Sequence, residues 1–509
     1  MSTRRIAVIG GGPAGLFAAR LVKRADPAAE VIVHERNGLN TSTFGFGVGL
    51  TESTMSKVAA ADADVADRIR AAGYAGHNLE LHKPDGGGTQ RVLLHGARNL
   101  AIGRAELLDV LRAAAIEAGV DYRAGSKVDL ANIDADVVIA ADGVRSAVRA
   151  KLSTELGVHE TLGRGRYMWC GVDFAVDSAF FTARTGDDGG FFVAHAYPYR
   201  ADRSTFLIEA DDTTWRAAGL DVHDARTGPG QTDVGSIAVL EDVFADDLRG
   251  RRLLTNRTRW ARFSTLGLDT WSNGNVVLVG DAAHTAHYTL GSGTKLALED
   301  AIALSDALAG HAVIAEAFAH YERHRRPAID RFKHLAGRSQ RWWETYRMRV
   351  TAPAERVALS YMTRSGNLGI VDYAHDHPDV VGAALKLLGT EPPRDPDLMQ
   401  DWVLAGRVTT PAELQHDSEL VAQIVWSETD PWSESADVVV NGLRTRHPGA
   451  VTYLVGANDE AAVGGRLDIA ERIKLETSRR VVVALPETAR AQGAAAIATG
   501  RCDALVMRE

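Results

Sequence analysis

The stretch RRIAVIGGGPAGLFAARLVKRADPAAEVIVHER, Arg4 to Arg36, decides the front of the fold. IAVIG is a continuous apolar run, the pattern of a strand buried on both faces of a parallel sheet. It enters Gly10-Gly11-Gly12-Pro13-Ala14-Gly15, which satisfies G-x-G-x-x-G through Gly10, Gly12 and Gly15. Gly10 permits the tight turn, Gly12 lets a pyrophosphate approach the backbone, and Gly15 lets the helix pack close to the strand. GLFAARLVKRA predicts that helix, with its N-terminal amides aimed at the phosphates, so Pro13 and Ala14 join the candidate site. EVIVHE predicts the next strand. It ends at Glu35, twenty residues beyond Gly15, where an acid can hold ribose hydroxyls, with Arg36 beside it. A bare glycine pattern is weak evidence; the strand, helix and acid around it make nucleotide binding the reading.

Two distant segments choose between NAD and FAD. ADVVIAADGVRSAVR (135–149) reads as a strand, Asp142-Gly143 and a basic helix. GNVVLVGDAAHTAHYTLGSGTKLALEDAIALSDAL (274–308) reads as a strand, Gly280-Asp281, a glycine-rich loop and a long helix. An acid at a strand end opposite a helix start can accept bonds from ribityl hydroxyls, and Gly291 and Gly293 would let the backbone approach a flat ring. A domain for NAD alone needs neither segment.

With these three motifs in this order, the chain resembles the group A flavoprotein aromatic hydroxylases, the p-hydroxybenzoate hydroxylase family, over roughly residues 4–400. The resemblance implies FAD as cofactor, O2 as co-substrate, and NADH or NADPH as a transient reductant, since no second G-x-G-x-x-G is present. By position it implies that Glu35 holds the adenosine ribose and that Arg104, in IGRAELLDVL, and Asp281 reach the ribityl chain. Asp142 would lie near the pyrophosphate and the nicotinamide route, and Gly291, Gly293 and Thr294 would border the ring.

The expected organisation is α/β: a discontinuous, Rossmann-like FAD domain at 1–165 and 255–345, with an antiparallel β-sheet substrate domain inserted at 166–254. The insert carries RYMWCGVDF, GGFFVAHAYPY and STFLIEAD, aromatic and alternating runs suited to a sheet over the flavin. RRPAIDRFKHLAGRSQRWWETYRMR reads as a helix with Trp342 and Trp343 as packing residues. A helical connector is expected at 346–409 and a strand–helix alternation at 410–509. That tail is read as strand DVVVNG, strand AVTYLVGA, helix RLDIAERIKLE, strand RRVVVALP, helix TARAQGAAAIATG and strand CDALVM. It resembles the last units of the old yellow enzyme TIM barrel, whose FMN phosphate sits on Gly-containing loops after strands seven and eight. Here the first such loop, ALPETA, has no Gly and the sequence stops at Glu509, which suggests a truncated, non-catalytic barrel remnant.

The loop after GDAAH departs from the family: His287 and Tyr288 stand where many members have prolines. In this, and in the fused tail, the chain is similar to the hydroxylases of aryl-CoA thioesters, the salicylyl-CoA 5-hydroxylases and the front half of the 2-aminobenzoyl-CoA monooxygenase/reductases. The resemblance implies hydroxylation of an aryl-CoA thioester para to a ring hydroxyl or amino group, with salicylyl-CoA first, and 2-aminobenzoyl-CoA or a free phenol as alternatives. Substrate contacts are expected at His287 and Tyr288. As a strand, FFVAHAYPY sets Val193, His195, Tyr197 and Tyr199 on one face, either toward the substrate or toward solvent. Arg164, Arg166, and the arginines of RHRRP and RWWETYRMR are candidates for the CoA phosphates. No metal site is expected: neither H-E-x-x-H nor paired C-x-x-C occurs.

Composition agrees with a globular enzyme. The 509 residues are 45% hydrophobic and 24% charged, with a net charge of −9 that offers no basic field for nucleic acid. Two distant cysteines, Cys170 and Cys502, suit a reducing compartment, and neither a signal peptide nor an apolar run of membrane-spanning length is read, so a cytoplasmic location is expected. Assembly stays open, a homodimer among the candidates. The rival readings are a flavin dehydrogenase or halogenase on the same scaffold, and a non-hydroxylating flavin-binding redox or scaffold protein.

Overall fold

The computed structural model describes residues 3–39, 45–85, 88–186, 189–291, 293–417, 420–445 and 450–508, with the backbone alone at 97–99 and 417. Ser292, inside the glycine-rich loop, and Glu509 lie outside the described residues. The chain divides into two compact units, Met1–Thr89 with His95–Ala336, and Gln90–Leu94 with Gly337–Glu509.

The first unit opens as the sequence predicts. Arg5–Ile9 is a strand paired in parallel with Glu30–Glu35 on one side and Val137–Ala140 on the other, Ile6 standing opposite both Val31 and Val137. Val276–Leu278 extends the parallel sheet beyond Val137–Ala140, and Asp121–Ala124 extends it beyond Glu30–Glu35. Both faces of the central strands are covered, so Ile6–Ile9, Val137–Ala140 and Val276–Leu278 are unbroken buried apolar runs, whereas Glu30–Glu35 is buried only at Val31 and Val33 and the edge strand Asp121–Ala124 is polar. The helix Pro13–Ala25 buries Leu16, Phe17 and Leu21 in this core, each worth about 1.5–3 kcal/mol when fully buried. The result is a strand end and a helix start facing one another at Gly10–Gly15.

A second, eight-stranded sheet follows. Its order is Ala261–Leu268, Val158–Val172, Arg203–Ala210, Phe191–Arg200, Ala179–Thr185, Tyr74–Asp85, Gly88–Gly103 and Gly47–Leu50. Ala179–Thr185 and Tyr74–Asp85 run parallel; the neighbours of Phe191–Arg200 and of Arg203–Ala210 are antiparallel. The β-sheet segment expected at 166–254 is therefore the middle of a wider sheet that borrows strands from residues 47–103 and 261–268, and it does not form a compact unit of its own. The two-residue alternation divides its side chains. Phe192, Ala194, Phe206 and Ile208 pack with Trp215, Leu240 and Phe244 of the helices beside the sheet. Val193, His195, Tyr197 and Tyr199 share the opposite face, where Val193 and Tyr199 are buried and His195 and Tyr197 half-buried, so that face is not solvated.

The second unit holds a four-stranded parallel sheet in chain order: Val421–Val425, Val451–Val455, Val481–Pro486 and Ala504–Arg508. The helices Glu434–Thr445, Glu460–Thr477 and Arg490–Ala498 connect them. One expectation is corrected here. DVVVNG is not a strand but the middle of the helix Glu434–Thr445, because only Ala436, Val440 and Leu443 are buried, at helical spacing, while Val438 is 73% exposed. The first strand of the sheet is VAQIV, Val421–Val425, which the sequence reading passed over. The expected connector and tail also form one unit, since Leu359, Tyr373 and Val381 share a core with Leu454, Leu467 and Val483. Among the described residues no helix is long and apolar enough to cross a membrane.

Candidate active site

The nucleotide end can be tested for fit at its glycines. A Cβ built on Gly15 would lie 2.2 Å from the Gly10 carbonyl oxygen, and one on Gly10 would lie 2.3 Å from that of Ala141, so both glycines are required by backbone packing. A Cβ on Gly12 would meet no described atom within 4 Å. The space in front of Gly12 is open, as a pyrophosphate requires. Pro13 occupies the first turn of the helix and no side chain caps its amides, which leaves them available to an anion. Glu35 accepts the Gly11 amide at 2.8 Å through Oε2 and the Asn37 amide at 2.8 Å through Oε1, a clamp that fixes the carboxylate at the strand end, with Arg36 exposed next to it.

Gly280-Asp281 closes the other side of this cradle. Gly280 has φ +59° and donates its amide to Asp300 Oδ2 at 3.0 Å. Asp300 is wholly buried, 2.8 Å from His284 Nε2, and accepts Arg325 Nε at 2.9 Å through Oδ1. Arg325 also bonds Glu299, which pairs with Lys57. Arg149 donates to the carbonyls of Asp281 and Ala282 at 3.4 and 2.9 Å and so ties the D-G helix to the G-D turn. The Asp281 carboxylate takes no hydrogen bond from a described side chain. Burial raises its pKa above the ordinary carboxylate value, against the pull of Arg104 and then His284. A partly dry carboxylate without a donor, across from the Arg104 guanidinium and 3.9 Å from a Cβ built on Gly293, fits a polyhydroxyl chain that donates hydrogen bonds. The observed residues fit FAD.

Beside the cradle, the inner face of the large sheet carries a polar–aromatic patch. Tyr288 donates its hydroxyl to Glu209 Oε1 at 2.8 Å, and His195 Nε2 lies 3.5 Å from the same oxygen. The patch follows from the register: Glu209 stands opposite Val193 and Tyr167, and His195 opposite Leu207 and Phe181. Tyr167 and Phe263 pack edge-on against Tyr288 at 5.2 and 5.8 Å between centroids, and Phe263 against His287 at 4.9 Å. His287 Nδ1 is 3.2 Å from Thr289 Oγ1.

A family model described as FAD binding domain matches residues 126–334, a span that contains both the D-G and the G-D motifs. The chain is 37% identical over 381 residues to salicyloyl-CoA 5-hydroxylase of a Streptomyces species, covering 73% of this chain and 72% of that protein. It is 39% identical over 371 residues to 3-hydroxy-4-methyl-anthranilyl-[aryl-carrier protein] 5-monooxygenase of Streptosporangium sibiricum, covering 73% of this chain and 97% of that protein. The chain belongs to the FAD-dependent aromatic hydroxylases. Among solved structures, this hydroxylase shares its fold with 2-methyl-3-hydroxypyridine-5-carboxylic acid oxygenase, with a TM-score of 0.53 and 21% identity over 74% of this chain and 98% of that one. It takes FAD, with NAD(P)H as the reductant typical of the family.

Within the hydroxylase, several expected residues have other work. Asp142 accepts Ser146 Oγ at 2.5 Å and the amides of Ala147 and Val148 at 2.7 and 3.3 Å, so its oxygens cap the helix Ala147–Lys151. Tyr197 gives its hydroxyl to the Gly47 carbonyl at 2.7 Å, and burial pushes its pKa up to about 12, so it is a neutral buttress for the strand Gly47–Leu50. Arg166 bonds Asp212 at 2.7 Å and lies over the Trp215 ring. Arg325, from RHRRP, serves the buried Asp300 network. Trp342 and Trp343 are buried, and Trp342 Nε1 donates to Ser360 Oγ. Cys170 and Cys502 are buried free thiols. Glu209 is the candidate site residue that the sequence reading missed. Its signal was present: a charged residue in the apolar strand STFLIEAD, on the same face as Leu207 and Thr205.

Proposed function

We propose that this hydroxylase acts on an aryl group carried as a thioester and places the new hydroxyl para to a ring hydroxyl or amino group, with salicylyl-CoA as the leading substrate. The observation that carries the reading is the agreement of the two relatives above: both are named for carrier-bound aryl groups, and both for position 5. A second reading, a substrate held on a carrier protein in place of CoA, is favoured by the match to 97% of the second relative.

In this account Gly10, Gly12, Pro13, Ala14 and Gly15 hold the pyrophosphate, Glu35 and Arg36 the adenosine, Arg104 and Asp281 the ribityl chain, and Gly291, Gly293 and Thr294 the ring. FAD, once reduced by NAD(P)H, supplies the activation of O2 and an electrophilic oxygen for an electron-rich carbon. The protein's part is position and dryness. Glu209, an acceptor flanked by Tyr288 and His195, takes a hydrogen bond from the ring hydroxyl or amino group. That bond draws electron density toward the para carbon and fixes which carbon faces the flavin. Tyr167, Phe263 and His287 wall the ring and keep water out. Asp142 and Tyr197 act only through the elements they hold. The tail, a four-stranded parallel β/α unit, holds no flavin of its own in this account.

The test is NAD(P)H oxidation with a panel of free acids, their CoA thioesters and carrier-linked forms. Thioesters with a 2-hydroxyl or 2-amino group should stimulate oxidation far more than the free acids. Equal stimulation by free salicylate would sink the thioester reading.

A further inference from the structure

The second unit contains a crevice lined by arginine. Arg338 and Arg341 lie three residues apart, on one face at the end of the long helix Ile314–Glu344, and Arg349 ends the turn Tyr346–Arg349. Asp468, Glu471 and Arg472 project from one face of the helix Glu460–Thr477, and Arg501 precedes the last strand. Most of these charges are matched. Arg338 grips Asp468 with two bonds of 2.7 and 2.9 Å, and Arg349 pairs with Glu471 at 2.6 Å. Arg472 pairs with Glu476 at 2.8 Å and Asp437 at 2.5 Å, and lies over the Trp432 ring.

A further arginine of the lining, Arg364, donates to Ser339 Oγ and the Tyr361 carbonyl and lies over the Tyr361 ring, which leaves the guanidiniums of Arg341 and Arg501. Arg501 is 3% exposed and donates only to the hydroxyls of Thr499 and Thr363 and to the Thr363 carbonyl. Arg341 has Asp468 as its nearest carboxylate, 3.9 Å away and already held by Arg338, and its buried Nε has no hydrogen-bond partner. Burial pushes both below the ordinary arginine pKa, whereas Asp468 outweighs burial and raises Arg338. Buried charges are ordinarily paired, because leaving one unpaired costs several kcal/mol.

We propose that this crevice binds a phosphate dianion, with Arg341 and Arg501 as its principal ligands. The two guanidiniums left for a ligand, Arg341 and Arg501, match the roughly −2 charge of a phosphate monoester. The planar guanidinium fork matches its oxygens better than it matches chloride. The phosphate is either the free ion or the monoester of a nucleotide such as the 3′-phosphate of CoA.

Calorimetric titration of the full-length holoenzyme at fixed ionic strength, with inorganic phosphate, CoA and 3′-dephospho-CoA, tests the proposal and separates these sources. Phosphate should bind saturably, at least tenfold more weakly in Arg341→Gln, and with unchanged affinity in Arg347→Gln, an exposed arginine of the same turn. CoA binding tenfold tighter than both other probes, with the advantage lost in Arg341→Gln, assigns the site to a nucleotide monoester. Equal affinity for CoA and phosphate assigns it to the free ion. Arg501→Gln repeats the test from the buried side, and Arg341 keeps it decisive if that variant does not fold. No saturable phosphate binding, or the same affinity in Arg341→Gln as in the parent, overturns the proposal.

Discussion

Tyr288→Phe removes one hydroxyl and almost nothing else. In the parent that hydroxyl donates to Glu209 Oε1 at 2.8 Å, and the Glu209 side chain is 13% exposed, so water screens the bond little. A hydrogen bond to a charged acceptor is worth about 1.5–3 kcal/mol. At about 1.4 kcal/mol per tenfold, its loss shifts the balance between held and loose carboxylate by roughly ten- to 150-fold. If Glu209 orients the ring, the variant keeps its FAD but lets oxygen activation run without a correctly placed carbon. The assay is the ratio of hydroxylated product to NAD(P)H consumed, with hydrogen peroxide measured alongside. We expect the ratio to fall severalfold or more and peroxide to account for the difference. Glu209→Gln keeps an acceptor oxygen but loses the charge, so it should also lower the ratio, and adding Tyr288→Phe to it should cost less than the same change costs the parent, since the charge that strengthened the bond is already gone. Full coupling in Tyr288→Phe, or losses that simply add, would refute the reasoning.

Other outcomes follow from the same geometry. Gly12→Ala should fold normally yet purify with little FAD, while Gly15→Ala should fail to fold, because its methyl would sit 2.2 Å from a backbone oxygen; circular dichroism and flavin absorbance separate the two. Asp281 has a raised pKa and would hold hydroxyls as a carboxylate, so FAD affinity should weaken as pH falls through that raised value, and Asp281→Asn should bind weakly without that pH dependence; flavin fluorescence on dilution reads both. Although burial pushes Asp300 upward, His284 and Arg325 hold its pKa below the ordinary carboxylate value. Its stability contribution is therefore complete above about pH 4 and lost as pH falls through the lowered value, and acid melting curves of Asp300→Asn should show a smaller loss over that interval. Extracted flavin should be FAD alone, since the loop after Val481–Pro486 has no glycine and turns directly into the short helix Glu487–Ala489; stoichiometric FMN on chromatography would contradict this.

The nucleotide half of the molecule was legible because its requirements are local. Gly15 is dictated by the Gly10 carbonyl in the same turn, Gly10 by its φ of +110° and the neighbouring Ala141 carbonyl, and Gly12 stands before open space, all three within one short motif, and a strand buried on both faces cannot hide its apolar run. The substrate face was half legible. Alternation placed His195 and Tyr197 together, but which of them meets the ring depends on the neighbouring strand and the loop opposite: Tyr197 is taken by Gly47, and His195 faces Glu209. The motif around Asp142 points to the pyrophosphate, and it does not announce that the same carboxylate also accepts Ser146 Oγ and the amides of Ala147 and Val148. The tail misled where local and tertiary preferences diverge. Three consecutive valines favour a strand, yet Ala436, Val440 and Leu443 bury one helical stripe. The weaker run Val421–Val425 is a strand because Val451–Val455 pairs with it, an arrangement nothing within five residues could announce.

Hydroxylation of salicylyl-CoA under oxygen-18 gas, with the product located by mass and by comparison with authentic isomers, tests the central claim most directly. The account predicts one labelled oxygen, at position 5, with product nearly equal to NAD(P)H consumed, and no comparable turnover of free salicylate. Label at position 3, unlabelled product, or peroxide in place of product would contradict it.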